Sequence, residues 1–311
     1  QSRLIMRSVI QETVDLVGQV VLGKEQQIKL AVACLLSEGH LLIEDMPGMG
    51  KTTLAHALGK VFNLSYNRIQ FTSDILPADI IGAPVFDKES GQFVFHEGPI
   101  FNQLILADEI NRTTPKSQSA LLEAMEERQV TVDGDSMPLP EPFFVIATQN
   151  PSNQAGTFPL PESQLDRFLM RIELGYPDPI AERILLQGQD RRVVLATLGN
   201  TINLLKLREL QAHCKTVKVS EALLDYIQRI IAYTRETSEL THGLSPRGGM
   251  ALLSSAKSWA FIDDRNYVVP EDVQAVLPSV VEHRLRESSD STDHVGSALA
   301  QRLLANVDVV G

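Results

Sequence analysis

The sequence predicts a parallel α/β core followed by a purely helical region. Three observations carry that reading. Short, branched, uncharged runs recur, at residues 41–43, 103–107 and 143–147 among others, and such runs suit strands buried on both faces of a parallel sheet. The first run leads into a glycine-punctuated loop and then a helical pattern, the order of an α/β unit. Beyond Tyr176-Pro177-Asp178-Pro179, which reads as a linker, only helical patterns remain.

At 311 residues, with 43% hydrophobic content, the chain can bury a full core, and two domains are expected, 1–175 and 176–311. The net charge of −11 and a pI near 5.1 argue against a basic nucleic-acid footprint. Cys34 and Cys214 are too few and too far apart for a disulfide framework, and neither has metal-ligand spacing. A reducing cytoplasm is the expected compartment. No apolar stretch approaches the roughly 20 residues that span a bilayer, and no signal-type apolar segment opens the chain, so membrane insertion is not expected.

Ile5, Val9, Ile10, Val14, Leu16 and Val17 recur at helical spacing and predict an amphipathic helix over residues 1–20. A short extended piece and a turn at Gly23 then lead into a helix ended by Gly39. Residues 21–23 either pack on a bound base or form an ordinary linker. After the strand at 41–43, Asp45, Met46, Pro47, Gly48, Met49 and Gly50 form a loop, and Lys51, Thr52 and Thr53 open a helix. This stretch reads as a phosphate cradle. Gly48 and Gly50 let the loop wrap so that successive backbone N–H groups point at one anion, and the helix N-terminus adds unpaired donors and a positive dipole end. Lys51 supplies a point charge for the β- and γ-phosphates, and the Thr52 hydroxyl a ligand for Mg2+. Asp45 stands where the pattern G-x-x-x-x-G-K-[ST] has its first glycine.

Residues 67–71 predict another strand. The stretch 83–97 that follows has two alternating runs around a polar, glycine-containing turn, which predicts a β-hairpin where a crossover helix is expected. It is either a structural flap or a projecting element that touches a partner. Phe86, Phe93 and Phe95 give it more aromatic surface than its length needs, and period two puts Phe93 and Phe95 on one face. The strand at 103–107 ends in Asp108-Glu109, at the strand tip where open α/β sheets place ligand chemistry. There Asp108 would hold Mg2+ through its water shell, and Glu109 would polarise an attacking water. A helix from Pro115 has Ala120, Leu121, Ala124 and Met125 as its apolar positions, and a second hairpin turns at Asp133-Gly134.

At the tip of the strand at 143–147, Asn150 is placed to orient water between the acid and the γ-phosphate. A short helix ends at Asp166-Arg167, and a fifth strand is predicted over 168–174. In the helical region Ser220 caps a helix with Leu223, Leu224, Ile227, Ile230 and Ile231 on one face, and Pro270 opens another. Ser245 is the predicted N-cap of a further helix and Pro246 its first residue, so Arg247 falls in the first turn. A cation there opposes the helix dipole, and an outside anion would explain it.

The strings EDMPGMGKTTLA, LILADEINRTTPKSQSALLEAMEERQVT, FFVIATQNP, LPESQLDRF and LSPRG follow one another in this order, and together they resemble the AAA+ ATPases, and within them the MoxR family. The resemblance spans roughly residues 20–250. It implies a P-loop AAA+ core with a five-stranded parallel sheet, a helix-2 insert for the first hairpin, a pre-sensor-1 hairpin for the second, and a small all-helical lid. It assigns Lys51 and Thr52 to Walker A, Asp108 and Glu109 to Walker B, Asn150 to sensor 1, Arg167 to the arginine finger and Arg247 to sensor 2. ATP and Mg2+ as cofactors, a homo-oligomeric and hexameric ring, chaperone-like action on client proteins and partners with a von Willebrand A domain are also implied. Two other functions compete. A nucleic-acid motor of a related AAA+ branch is disfavoured by the acidic charge and by the second hairpin, whose basic neighbour is Arg128 alone. A nucleotide-gated scaffold without turnover has no need of Glu109.

Overall fold

The computed structural model describes residues 2–151, 156–188, 190–288 and 296–311, with side chains described from residue 9 onward apart from 296–298. Helices α1 (Ser2–Gly18) and α2 (Glu25–Leu36) precede strand β1 (Leu41–Glu44). Ile10, Val14 and Val17 of α1 are buried as the spacing predicts, while the side chain of Ile5 lies outside the described residues. Between the helices the chain turns instead of extending: Val20 and Val21 donate to the carbonyl of Val17, and both valines enter the core. Val21 is therefore a core residue. The end of α2 also differs from the expectation. Glu38, not Gly39, takes the left-handed φ of 58°, and a Cβ on Gly39 would lie 2.3 Å from the Leu169 side chain.

After the cradle come α3 (Lys51–Val61), β2 (Tyr66–Gln70), α4 (Pro77–Ile81) and the strands β3 (Gly82–Asp87), β4 (Gln92–Glu97) and β5 (Leu104–Asp108). A 3-10 turn (Ile110–Arg112) leads to α5 (Pro115–Glu127), β6 (Gln129–Val132), β7 (Asp135–Pro138), β8 (Phe144–Gln149), α6 (Glu162–Leu165) and β9 (Met170–Ile172). Helices follow: α7 (Pro179–Leu186), α8 (Arg191–Thr197), α9 (Leu204–Lys215), α10 (Glu221–Glu236), α11 (Pro246–Ile262), α12 (Pro270–Val281) and α13 (Gly296–Asn306). Ser220 and Ser245 cap α10 and α11 through bonds from the N–H groups of Leu223 and Gly248. Pro270 opens α12.

β1, β2, β5, β8 and β9 form one parallel sheet in the order β2-β5-β8-β1-β9. Every parallel neighbour needs a crossover, so helices cover both faces, and β1 and β5 are buried throughout. β2 is an edge strand and alternates. β9 is shorter than the apolar run suggested, because the N–H groups of Leu174 and Gly175 turn to the Asp45 carboxylate at 2.7 Å instead of continuing the ladder. β3 and β4 pair as a hairpin with Phe86 opposite Phe93. The hairpin of β6 and β7 turns on Asp133 and Gly134, both at positive φ (51° and 83°), as a type I′ turn requires.

One buried cluster joins α1, α2, α3 and one sheet face to the later helices through Leu207, Leu210, Leu252, Trp259 and Val276. The other face packs Phe71, Ile105, Leu121, Leu122, Met125, Val145 and Phe168 together. Register then divides the sheet into two edges. Leu169 donates to His40 and Met170 pairs with Leu41, so the segment before β9 lies at the edge where β1 begins. The cradle lies at the edge where β1 ends.

Candidate functional site

The chain leaves β1 at Glu44 into the loop. Gly48 and Gly50 adopt φ of 84° and 93°, and the space a Cβ would take is open at both. Conformation, not crowding, selects glycine there. Asp45, in place of the pattern's first glycine, acts as a latch: its Oδ2 accepts from both Leu174 and Gly175, tying the loop to the chain that enters the helical region. Lys51 opens α3 and is buried to 8% exposure. Its ammonium donates to Asp45 O at 2.8 Å and to Asn150 Oδ1 at 3.1 Å. Burial pulls its pKa below the usual lysine range, against the opposing pull of Asp108 and Asp45. Met46, Pro47 and Thr52 are exposed at the mouth, and Met49 and Thr53 are half-buried.

The acid pair is held by Thr148, at the end of β8. Its hydroxyl donates to Asp108 Oδ1 at 2.5 Å and accepts from the Glu109 N–H at 3.0 Å. The other Asp108 oxygen, Oδ2, lies 2.5 Å from Nη2 of Arg68 on β2. Glu109 has a left-handed backbone, φ 57° and ψ 53°, which costs a residue with a Cβ about 1–3 kcal/mol and is imposed here by its surroundings. Its carboxylate lies 2.9 Å from Arg112 Nε. Asn111 donates to Asn150 O at 3.3 Å, which joins the acid turn to the Asn turn.

Lys51, Asp108, Glu109 and Asn150 thus come together at the C-terminal edge of three neighbouring strands, with Thr52 in the first turn of α3. Arg167 and Arg247 do not join them. Arg167 Nε lies 3.0 Å from Glu126 Oε2, Arg247 Nη2 lies 3.1 Å from Glu126 Oε1, and both stand at the opposite edge of the sheet. Arg68, Thr148 and Arg112 are site residues that spacing did not single out. A lone cation in an edge strand announces nothing until β2 and β5 are known to pair; Arg112, three residues from Glu109, could have been read as its ion-pair partner.

Sheet order, cradle and helical tail define the class, a P-loop AAA+ core with a helical lid. The family model described as "ATPase family associated with various cellular activities (AAA)" matches residues 40–170, and that of the AAA lid domain matches residues 232–302. The chain is 42% identical over 280 residues to YeaC of Bacillus subtilis, covering 90% of this chain and 88% of that one. It is 39% identical over 279 residues to the chaperone MoxR1 of Mycobacterium tuberculosis, covering 86% and 73%. A crystal structure of a protein from Cytophaga hutchinsonii superposes with a TM-score of 0.88 at 36% identity, covering 98% of this chain and 96% of that one. The chain belongs to the MoxR family of AAA+ ATPases.

Proposed function

We propose that this chain is an Mg2+-dependent ATPase that uses hydrolysis to remodel client proteins, with residues 1–175 as its hydrolytic core and 176–311 as its lid. The observation that carries the reading is the convergence of Lys51, Asn150, Asp108 and Glu109 at one sheet edge. In this reading the loop and the first turn of α3 bind phosphate through backbone N–H groups. Lys51 exchanges Asp45 O and Asn150 for phosphate oxygens. Asn150 then orients the attacking water, and Glu109, exchanging Arg112 for that water, takes its proton. Asp108 and Thr52 suit a hydrated Mg2+, because both Asp108 oxygens already have protein partners and would reach the ion through water. Among the described residues no three His, Cys, Asp or Glu side chains form a metal cage, so phosphate and water would complete the ligands. Bound Mg2+ would neutralise charge on the β- and γ-oxygens.

The far position of Arg167 and Arg247 supports their serving the nucleotide of a second copy, in a homo-oligomeric ring that the family resemblance makes a hexamer. A protein client, rather than nucleic acid, is supported by the net charge of −11. It is also supported by Arg128, which is committed to the carbonyls of Glu38 and Phe143 beside the β6–β7 hairpin. The exposed aromatic face of β3–β4 supports a protein partner, one with a von Willebrand A domain included. The buried free thiols Cys34 and Cys214 accord with a reducing cytoplasm. Among the described residues no helix is long and apolar enough to cross a membrane.

Glu109→Gln tests the reading. Binding draws on backbone N–H groups, Lys51 and the metal, whereas the carboxylate acts on water, so nucleotide affinity should hold while turnover falls about 10²–10⁴-fold. Calorimetric affinity set beside phosphate release decides it, and near-normal hydrolysis would remove Glu109 from the role.

A further inference from the structure

Arg167 and Arg247 arrive from different parts of the fold and meet on one carboxylate. Arg167 lies against Glu126 Oε2 through Nε, and Arg247 donates to Oε1 through one terminal nitrogen. Two guanidiniums this close repel, and the anion between them is what holds them side by side. Asp166 does not fill that place, since it lies 3.9 Å from Arg247 and is taken at 2.8 Å by the buried Arg284. Stability is a poor reason for the arrangement: Glu126 is 36% and Arg247 51% exposed, and ion pairs that open to water contribute little.

Glu126 also stands on a stiff support. It occupies the last turn of α5, and the first turns of that helix are fixed by buried Gln118, whose amide donates to the carbonyls of Ile110, Thr113 and Phe158. At a rise of about 1.5 Å per residue, Glu126 lies roughly 12 Å along the helix from that anchor.

We infer that Glu126 is a positioning residue that gathers Arg167 and Arg247 into a two-armed clamp for the phosphates of a second copy's nucleotide. The inference rests on the reading that both arginines act on a neighbour. Removing the carboxylate frees two cations to separate, and a displacement of an ångström at a reacting centre costs on the order of 10²-fold.

The test uses the full chain with Glu126→Gln, Glu126→Asp, Arg167→Ala, Arg247→Ala and Lys51→Ala. Glu126→Gln should melt as the parent does, with kcat lowered about 10- to 10²-fold and the KM for ATP little changed. Glu126→Asp keeps the charge on a shorter arm and should fall between the two. Mixed with inactive Lys51→Ala, Glu126→Gln should regain activity as Arg167→Ala does, because its own cradle is intact and the Lys51→Ala copy brings intact arginines. Unchanged kcat overturns the inference, and so does a loss that mixing does not restore while mixing restores the arginine variants. If neither arginine variant is restored, the reading that they act on a neighbour fails, and the role of Glu126 falls with it. Should Glu126→Gln not fold, a fully active Glu126→Asp that leaves Arg167→Ala inactive decides against it.

Discussion

His40 carries its proton on one nitrogen only. Nε2 donates to Met125 O at 3.0 Å, which leaves Nδ1 to accept from the Val145 N–H at 3.0 Å, so a neutral ring ties β1 to the end of α5 and the start of β8. Burial, with Arg128 nearby, pushes its pKa down to about 4. His283 is bonded on one side only, Nε2 lying 2.8 Å from Phe168 O while its buried Nδ1 has no hydrogen-bond partner, and burial holds its pKa well below the usual value. In the unfolded chain both rings take a proton below about pH 6.5, while the folded chain refuses it. Their stabilising contribution is complete above that pH and is lost as the pH falls toward the folded values. For His40 alone, the loss between pH 6.5 and 4 is on the order of 3 kcal/mol. Denaturant melts from pH 7.5 to 5 should show stability falling, and a profile that stays flat would refute the assignment. Lys51, Asp108, Glu109 and Asn150 were legible because each follows directly on a buried strand or its loop. Arg68 and Glu126 were not, because their partners come from other elements and no local spacing marks them.

A two-stranded hairpin is barely stable alone, so the β3–β4 hairpin depends on where its faces rest. Its root is pinched: a Cβ on Gly98 would lie 2.4 Å from Ile80 O, and one on Gly82 2.2 Å from His96 O. Further out the aromatic face divides. Phe95 packs edge-on against Phe101 of the core at 5.9 Å, whereas Phe93 is 72% exposed and touches Phe86. Phe93→Ser should therefore alter stability by less than about 0.5 kcal/mol and keep basal turnover, while abolishing binding of a protein partner. Phe95→Ser should cost about 1–3 kcal/mol by removing a packed aromatic. Melting curves and a pull-down of each variant separate the two, and equal destabilisation would make the hairpin a structural flap. The two alternating runs and their turn were readable in sequence. Which phenylalanine finds the core was not, because period two assigns a face without saying what lies opposite it.

Across the whole molecule, the five strands and the order of the motifs followed from apolar runs and what stands at their ends. The strand order and the seating of the helices against α2 and β9 depend on pairings distant in sequence. One such pairing is ionic. Arg171 on β9 lies 3.4 Å from both Glu44, at the end of β1, and Glu282, at the end of α12, and all three side chains are nearly buried. Arg171→Ala should cost about 3–5 kcal/mol, since it leaves two buried carboxylates unpaired. Burial raises the pKa of Glu282, so its ionisation costs the fold stability as pH rises through its folded value, and the pull of Arg171 offsets part of that cost. The deficit of the variant should be largest at neutral pH and shrink in acid. A pH-independent deficit in denaturant melts would count against the ionic account.

The two edges of the sheet have a further consequence. A cradle at one edge and arginines at the other give the chain a direction. On the proposed reading, copies that keep one common orientation meet head to tail, as links of a chain with a hook at one end and an eye at the other. An open row of that kind leaves one cradle without arginines and one pair of arginines without a cradle, and closing the circle leaves no copy idle.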